Sequence, residues 1–563
     1  YRFDSITQNE FSKIPGSPIV YWISNEARKV FGKYPNFETL AKPRQGMAST
    51  NNALFVRAWQ EVSVENTNLT AISGLHAKES RKRWFPYDKG GEYRKWFGNN
   101  ESLINFKNDG EEVCSYIDNT PGAKVGSNGR VISRDKYFKE GITWSAISSG
   151  RLSVRHTGIG HIFSNGGSKS FSDKRTELMA DLGFLNSSVA DFLLSCLSQT
   201  LNFNQGVIAR LPLQRLSETV SNTETLVEIA KDDWDASELS WNFATFPLLA
   251  LKNKRDTLFQ SWLSWQEFCV ETIGRTKNLE ELNNRLFIAA YGLQSELSPE
   301  VPEDQITLAR ADREKDCQRL ISYAIGCMMG RYSPDEPGLI YAHSRNVGFD
   351  ASRYAAFPAD ADGIVPLTEE LWFTDDAANR VREFLLAVWG ADTLEQNMAW
   401  LAESLGTKGS ETPDETIRRY LADKFFKDHL QTYKKRPIYW LFSSGKHAAF
   451  QALVYLHRYT EGTLARLRAE YVVPLTGKMQ ARLDMLQKDA LAASTTTGRN
   501  KINKEIEKLK KKHLELLAYD EKLRHHADMR ITLDLDDGVK VNYGKFGDLL
   551  EGVKLVTGGA GDE

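Results

Sequence analysis

The sequence predicts an α+β protein: a mixed α/β region, then a mostly α-helical region with an antiparallel helical hairpin and a terminal β-hairpin. Three observations lead there. Short aromatic and β-branched runs alternating by two mark residues 1–213, helical spacing of apolar positions takes over from 214, and a heptad fills 478–527.

In the first region, Leu54–Trp59 and Ile142–Ile147 alternate as half-buried strands do. Breaks rich in Gly and Asn separate such runs, at 122–129 and at Asn165-Gly166-Gly167-Ser168. After Ser187-Ser188, the positions of Val189, Phe192, Leu193 and Leu197 predict one packed helix with a serine start. Asn202-Phe203 through Pro212 closes this region.

From 214 the pattern is helical. Trp234, Leu239, Trp241, Phe243 and Phe246 form an aromatic entry, and amphipathic stretches follow to about residue 330. Residues 331–366, rich in Pro, Gly and Asp, read as an irregular excursion or linker, with helices from Thr368 to about 470. The expected domains are therefore 1–213, 214–366 and 367–563. In 478–527, Met479, Leu483, Leu486 and Ala490 share one stripe. Past the break at Ser494–Gly498, Ile502, Ile506, Leu509, His513, Leu516 and Leu523 keep its phase, which predicts two antiparallel helices. Ile531–Leu535 and Val539–Tyr543 flank Asp536-Asp537-Gly538, a turn signal that predicts the closing β-hairpin.

Composition narrows the class. With 563 residues, 41% hydrophobic and 26% charged, the chain has an ordinary globular balance and room for several domains. No apolar run approaches the roughly 20 residues of a membrane span. The opening Tyr1-Arg2-Phe3-Asp4 lacks a secretion pattern and an initiator Met, so a processed product or a piece of a longer protein is expected. Cys114, Cys196, Cys269, Cys317 and Cys327 are scattered, with no C-x-x-C pair, which fits a reduced, cytoplasmic setting. His156 and His161 lie five apart without a thiol or carboxylate cluster at ligand spacing, so no metal site is expected. Residues 1–213 hold 27 Lys+Arg against 20 Asp+Glu, and 214–563 hold 45 against 54. A basic front and an acidic back suit a polyanion binder, or simply two domains of different charge.

The most distinctive stretch is 76–99, where seven Lys and Arg interleave with six aromatics around Gly90-Gly91. Its cations suit phosphates and guanine edges. Its rings suit either anchoring in a core or stacking on bases. The order Trp84-Phe85-Pro86-Tyr87-Asp88-Lys89-Gly90-Gly91, then Arg94-Lys95-Trp96-Phe97-Gly98-Asn99, resembles the signature of methyltransferase target-recognition domains. Phe138–Ser145, Leu182–Ser187, Leu201-Asn202-Phe203 and Gly206–Pro212 resemble the family's later blocks. Further on, Asn284–Ile288 with Tyr291-Gly292-Leu293, Ser322–Tyr332, Tyr439–Lys446 and Asp536–Tyr543 are similar to the PglX family of type 1 BREX phage-defence systems. The resemblance runs from about residue 1 to 550.

It implies an adenine-specific DNA methyltransferase using S-adenosylmethionine, with double-stranded DNA as partner. Other BREX proteins and phage DNA-mimic inhibitors are implied as further partners. Such an enzyme needs a glycine-rich cofactor turn and an Asn/Asp-Pro-Pro-aromatic loop for the flipped adenine. None of the 17 prolines is followed by another, and Gly158-Ile159-Gly160 is only a weak match to a cofactor turn. The catalytic half, with its cofactor site, is therefore expected to lie outside this chain. P-loop, G-x-S-x-G and H-E-x-x-H motifs are absent as well. The candidate phosphate contacts are Lys82, Arg83, Lys89, Arg94, Lys95 and Lys169. The candidate base readers are Arg134, Lys136, Arg151 and Arg155. Lys508, Lys510, Lys511 and Lys512 on the hairpin read as a solvated face or as DNA contacts. The competing reading is a scaffold that holds other defence proteins through the acidic helical part.

Overall fold

A computed structural model describes residues 14–558 except 17, 19, 21, 123, 149, 199, 201 and 251–255. The expected opening at Tyr1–Asp4 and the residue Leu201 lie outside them. The chain divides into two compact units. The first comprises the described residues up to Trp59, Glu65–Trp241 and Gln266–Arg310; the second comprises Gln60–Val64, Asn242–Trp265 and the residues from Ala311 on. This division does not coincide with the expected boundaries at 213 and 366. The reason is packing: Leu226, Ala230, Phe287 and Tyr291, all beyond 213, belong to the first unit's core.

Among its described residues, the first unit holds seven short strands. They are β1 Val56–Ala58, β2 Trp84–Asp88, β3 Ser102–Asn105, β4 Gly141–Trp144, β5 Val154–Thr157, β6 Ile162–Phe163 and β7 Lys169–Ser170. One sheet runs β1-β3-β2-β6, antiparallel except for β2 beside β6, where Tyr87 faces Ile162 and Asp88 faces Phe163. The other runs β5-β4-β7, antiparallel throughout. Each sheet has its own core. Phe85, Tyr87, Phe106, Tyr137, Phe138 and Phe163 fill the first, with edge-on ring pairs such as Tyr137–Phe163 at 5.7 Å. Ile142, Trp144 and Val154 of the second share a core with buried residues of the helices Arg175–Leu185, Ser188–Leu197 and Val220–Asp235.

The expected helix after Ser187 is Ser188–Leu197, and the Ser187 hydroxyl caps it by accepting from the Ala190 amide. The expected strand at 54–59 is shorter. Asn51 caps a helical turn at Asn52–Phe55, so only Val56–Ala58 extends and pairs. The strand expected at 142–147 stops at Trp144, where the chain turns off to bond Gly166 and Phe203 through Ala146.

In the second unit, β8 Ile364–Pro366, β9 Tyr439–Ser443 and β10 Gln451–Tyr455 form an antiparallel sheet, β8-β10-β9. The region expected to be helical to 470 thus contains a strand pair. Every residue of β9 and β10 is buried, so neither shows the alternation that marks a strand in sequence. Residues 331–366 are largely irregular, yet Arg331, Tyr332, Tyr341 and Tyr354 are buried, and Arg331 Nη1 donates to Tyr455 Oη at 3.0 Å. The helical hairpin is present as Val473–Ala492 and Thr496–Asp528, burying Met479, Leu483, Leu486, Ala490, Ile506, Leu509, Leu516 and Leu523.

The terminal β-hairpin is corrected. Gly538–Gly544 is a helix, entered through a turn in which Asp534 caps the Asp536 amide. Val539, Asn542 and Tyr543 are buried at helical spacing, and Asn542 Nδ2 donates to the carbonyls of Asp534 and Gly538. A buried carboxylate, Glu61, accepts from the Val539 amide at 2.8 Å. The same apolar positions satisfy a period of two or of three to four over so short a run.

Candidate nucleic-acid interface

The basic-aromatic signature begins on β2, turns at Gly90-Gly91 and continues through Arg94–Asn99. Beyond the turn its polar atoms point inward. Lys95 Nζ lies 2.7 Å from Glu280 Oε2, and Trp96 Nε1 donates to Glu280 Oε1 at 2.7 Å. Arg94 Nη2 donates to Asp233 at 2.5 Å while its guanidinium lies 5.0 Å from the centre of the Trp234 ring. The Trp96 amide donates to Val154 and its carbonyl accepts from His156, so the segment also fastens to β5. Lys95 is only 6% exposed. Burial weighs against its ammonium, but Glu280, joined by Tyr93 and Asp191, outweighs this and raises its pKa.

A second buried cluster sits under β2. Asp88 Oδ1 lies 2.8 Å from His161 Nδ1, and its other oxygen lies 3.4 Å from Lys169 Nζ. Burial pushes the Asp88 carboxyl up, but His161 and Lys169 together hold it at about 2. Lys169 is 0% and Arg155 1% exposed. Arg155 Nη1 donates to the Arg94 carbonyl, and burial lowers its guanidinium to about 10.

These positions correct three expectations. Lys95 and Lys169 are held on carboxylates inside the unit rather than on DNA phosphates, and Arg155 is enclosed in the interior rather than displayed for base reading. His156 pairs with Glu140 at 2.8 Å and His161 with Asp88, so the two histidines serve different carboxylates. Among the described residues, no group of three or more His, Cys, Asp or Glu is placed to hold a metal ion.

Of the other candidates, four gather at the end of the sheet where β2 starts, around Phe106. Arg134 Nη1 reaches Asp109 at 2.8 Å and its guanidinium lies 5.8 Å from the Phe106 ring centre. Arg83 reaches Glu112 at 2.8 Å, and its carbonyl accepts from the Phe106 amide. Lys136 pairs with Asp135, and Lys82 donates to the Glu65 carbonyl. Arg81, Lys107 and Lys139 add exposed cations in the same segments. Asn108 and Asp109 take left-handed backbone before the helix that ends at Asn119, which turns this rim outward as a loop.

Lys89 and Arg151 lie at the opposite end. There the Gly90-Gly91 turn meets Ser145, and Ala146 bonds Gly166. Arg151 contacts Gln305 at 3.0 Å and Asp191 at 3.4 Å, and Ile147 beside it is 76% exposed. Arg94 is half-buried on Asp233 and belongs to neither end.

Sequence reasoning missed Glu280, Asp233 and the Asp88–His161 pair. Glu280 carried one signal: it is a carboxylate on the inward face of a long amphipathic helix, where a partner is required.

No protein-family model matches the chain. Sequence comparison finds curated relatives that are named as adenine-specific methyltransferases. It is similar to the adenine-specific methyltransferase BrxX of Escherichia coli O9:H4 (strain HS), with 40% identity over 99% of this chain and 47% of that protein. It is similar also to the adenine-specific methyltransferase PglX of Lacticaseibacillus casei (strain Zhang), with 42% identity over 96% of this chain and 45% of that protein. The chain is therefore PglX-type over nearly all of its length, and it spans about half the length of the curated relatives it matches.

Proposed function

We propose that this chain is the DNA-recognition portion of a BREX-type adenine-specific DNA methyltransferase. The observation that carries the reading is identity of 40–42% along almost the whole chain to two proteins named as adenine-specific methyltransferases. In this reading the first unit docks on duplex DNA with the rim of Arg83, Arg134 and Lys136, and Lys82 beside it. Lys89 and Arg151 are the alternative docking end. S-adenosylmethionine and the groups that handle the flipped adenine belong to sequence other than these 563 residues, since no Pro-Pro loop occurs in them.

The rim suits this task physically. Its arginines are half-engaged by exposed carboxylates, which orient them at little energetic cost and yield to phosphate or a guanine edge. A scaffold role for the acidic helical part is the second reading, supported by its 54 acidic against 45 basic residues.

The test is a fluorescence-anisotropy titration of duplex DNA with the whole chain across salt concentrations. Removing Arg134 and Lys136 by alanine should flatten the log–log salt slope by roughly 0.9 for each phosphate no longer neutralised. A weakening with Lys89→Ala/Arg151→Ala instead would move the docking face to the other end. Absence of binding by the unmodified chain would overturn DNA recognition for it.

A further inference from the structure

A cleft of about 600 Å3 opens in the second unit between the turn after β9 and the helix Thr496–Asp528. Five lysines line it: Lys446 from the turn, and Lys504, Lys508, Lys511 and Lys512 from the helix. Such a concentration is unexpected in a region whose acidic residues outnumber its basic ones. Lys504, Lys508 and Lys511 step by four and three, so they share one helix face, about 6 Å apart for each four residues.

Two of the five are already engaged. Lys512 is buried and reaches Glu369 at 2.7 Å, and Lys508 reaches the same carboxylate at 3.3 Å. Burial would raise the Glu369 carboxyl, but Lys512 and Lys508 hold it below the ordinary range. That triad fixes the helix against the segment bearing Glu369. Glu507, also at the cleft, pairs with Lys510 at 3.4 Å. Lys446, Lys504 and Lys511 are exposed, and none of the described carboxylates pairs with them. Among the described residues no Phe, Tyr or Trp lines the cleft, and His447 supplies its ring.

We propose that this cleft is a second anion site, shaped to hold consecutive phosphates of a nucleic-acid backbone through Lys446, Lys504 and Lys511. The nucleic-acid source rests on the reading that the chain binds DNA. A free polyphosphate presents the same chemistry, so the test has two arms.

In the first arm, the whole chain and the Lys446→Gln/Lys504→Gln/Lys511→Gln variant are titrated with duplex DNA over a salt series. The expected result is a log–log slope shallower by roughly 0.9 for each phosphate released, up to about 2.7 in all, with sequence preference unchanged. In the second arm, both proteins are titrated calorimetrically with inorganic tripolyphosphate, and the variant should lose the binding heat. Arginine at the same three positions should retain binding in whichever arm shows it. An effect in the first arm assigns the site to DNA, and an effect only in the second assigns it to a free polyphosphate. If the unmodified chain binds no DNA, the recognition reading fails and the tripolyphosphate arm alone decides. Equal behaviour of chain and variant in both arms, or tight binding of poly-glutamate without any phosphate binding, would overturn the site. All three side chains are exposed, so thermal unfolding of the variant should match the parent and exclude misfolding.

Discussion

Lys95 and Glu280 form an ion pair at 2.7 Å with both side chains buried inside the first unit. The Glu280 carboxylate is doubly engaged, because Trp96 Nε1 donates to its other oxygen. Removing one partner leaves a buried charge uncompensated, and such losses cost about 3–5 kcal/mol. Lys95→Met should therefore lower the unfolding free energy by that amount in urea titrations. Lys95→Met/Glu280→Gln should recover much of it, since Gln still accepts from Trp96. The salt slope of the proposed DNA binding should be unchanged for any of these that fold; a flatter slope would return Lys95 to the proposed DNA surface.

Gly98 holds φ at +118°, and a β-carbon there would lie 2.5 Å from Arg94 Nε and 2.9 Å from the Trp234 ring. Gly98→Ala should displace the Arg94–Asp233 pair and cost on the order of 1–3 kcal/mol from backbone strain alone. Near-ultraviolet circular dichroism should report the altered Trp234 environment. An unchanged spectrum and stability would refute the close packing.

The second unit should lose stability in mild acid. Burial first, then the nearby Arg331 guanidinium, lowers the pKa values of His429 and His457 from 6.5 to about 3. His429 Nε2 accepts from the amides of Ile438 and Tyr439, which protonation would prevent. Between pH 6.5 and 3 the unfolded chain binds these protons and the folded chain does not. Their contribution to stability is therefore complete above pH 6.5 and declines as pH falls toward 3. Denaturation midpoints measured from pH 7.5 to 5.5 should fall, and His429→Gln should flatten that dependence. A parallel dependence in the variant would show that His429 is not kept neutral by the fold.

Leu516 is fully buried at the seam of the helical hairpin. Leu516→Ala should cost about 2–5 kcal/mol through reduced burial and the cavity left behind. Leu514, two positions away and 66% exposed, supplies the control, with Leu514→Ala expected to change stability little.

The hairpin was legible because its heptad extends over two long helices, and the Ser187 cap because side-chain chemistry announces it. The pair β9–β10 was not, since strands buried on both faces carry no alternation. The helix at Gly538 was misread because its seven residues fit either period and the Asp536-Asp537-Gly538 turn signal stands at its start. For the candidate interface, the sequence located the motif but not its direction. Lys95 and Lys169 are buried because Glu280 and Asp88 meet them, and those carboxylates lie 185 and 81 residues away in the chain. Local pattern carries no record of such distant pairing. Arg83 and Arg134, whose partners also come from another segment, stay at the surface because those partners, Glu112 and Asp109, are themselves about half-exposed.

The inward direction of Arg94, Lys95 and Trp96 has a consequence for how related chains are compared. These residues bolt one part of the unit to another, so they are indifferent to what lies outside it. A scan for the Trp84–Gly91 and Arg94–Asn99 pattern would collect proteins built on a common chassis, whatever partner each one meets at its surface. On the proposed recognition reading, differences in what is read fall to surface side chains such as Arg134 and Arg151, which can be exchanged without loosening the bolts, unlike the buried Tyr137, Phe138 and Ser145 near them.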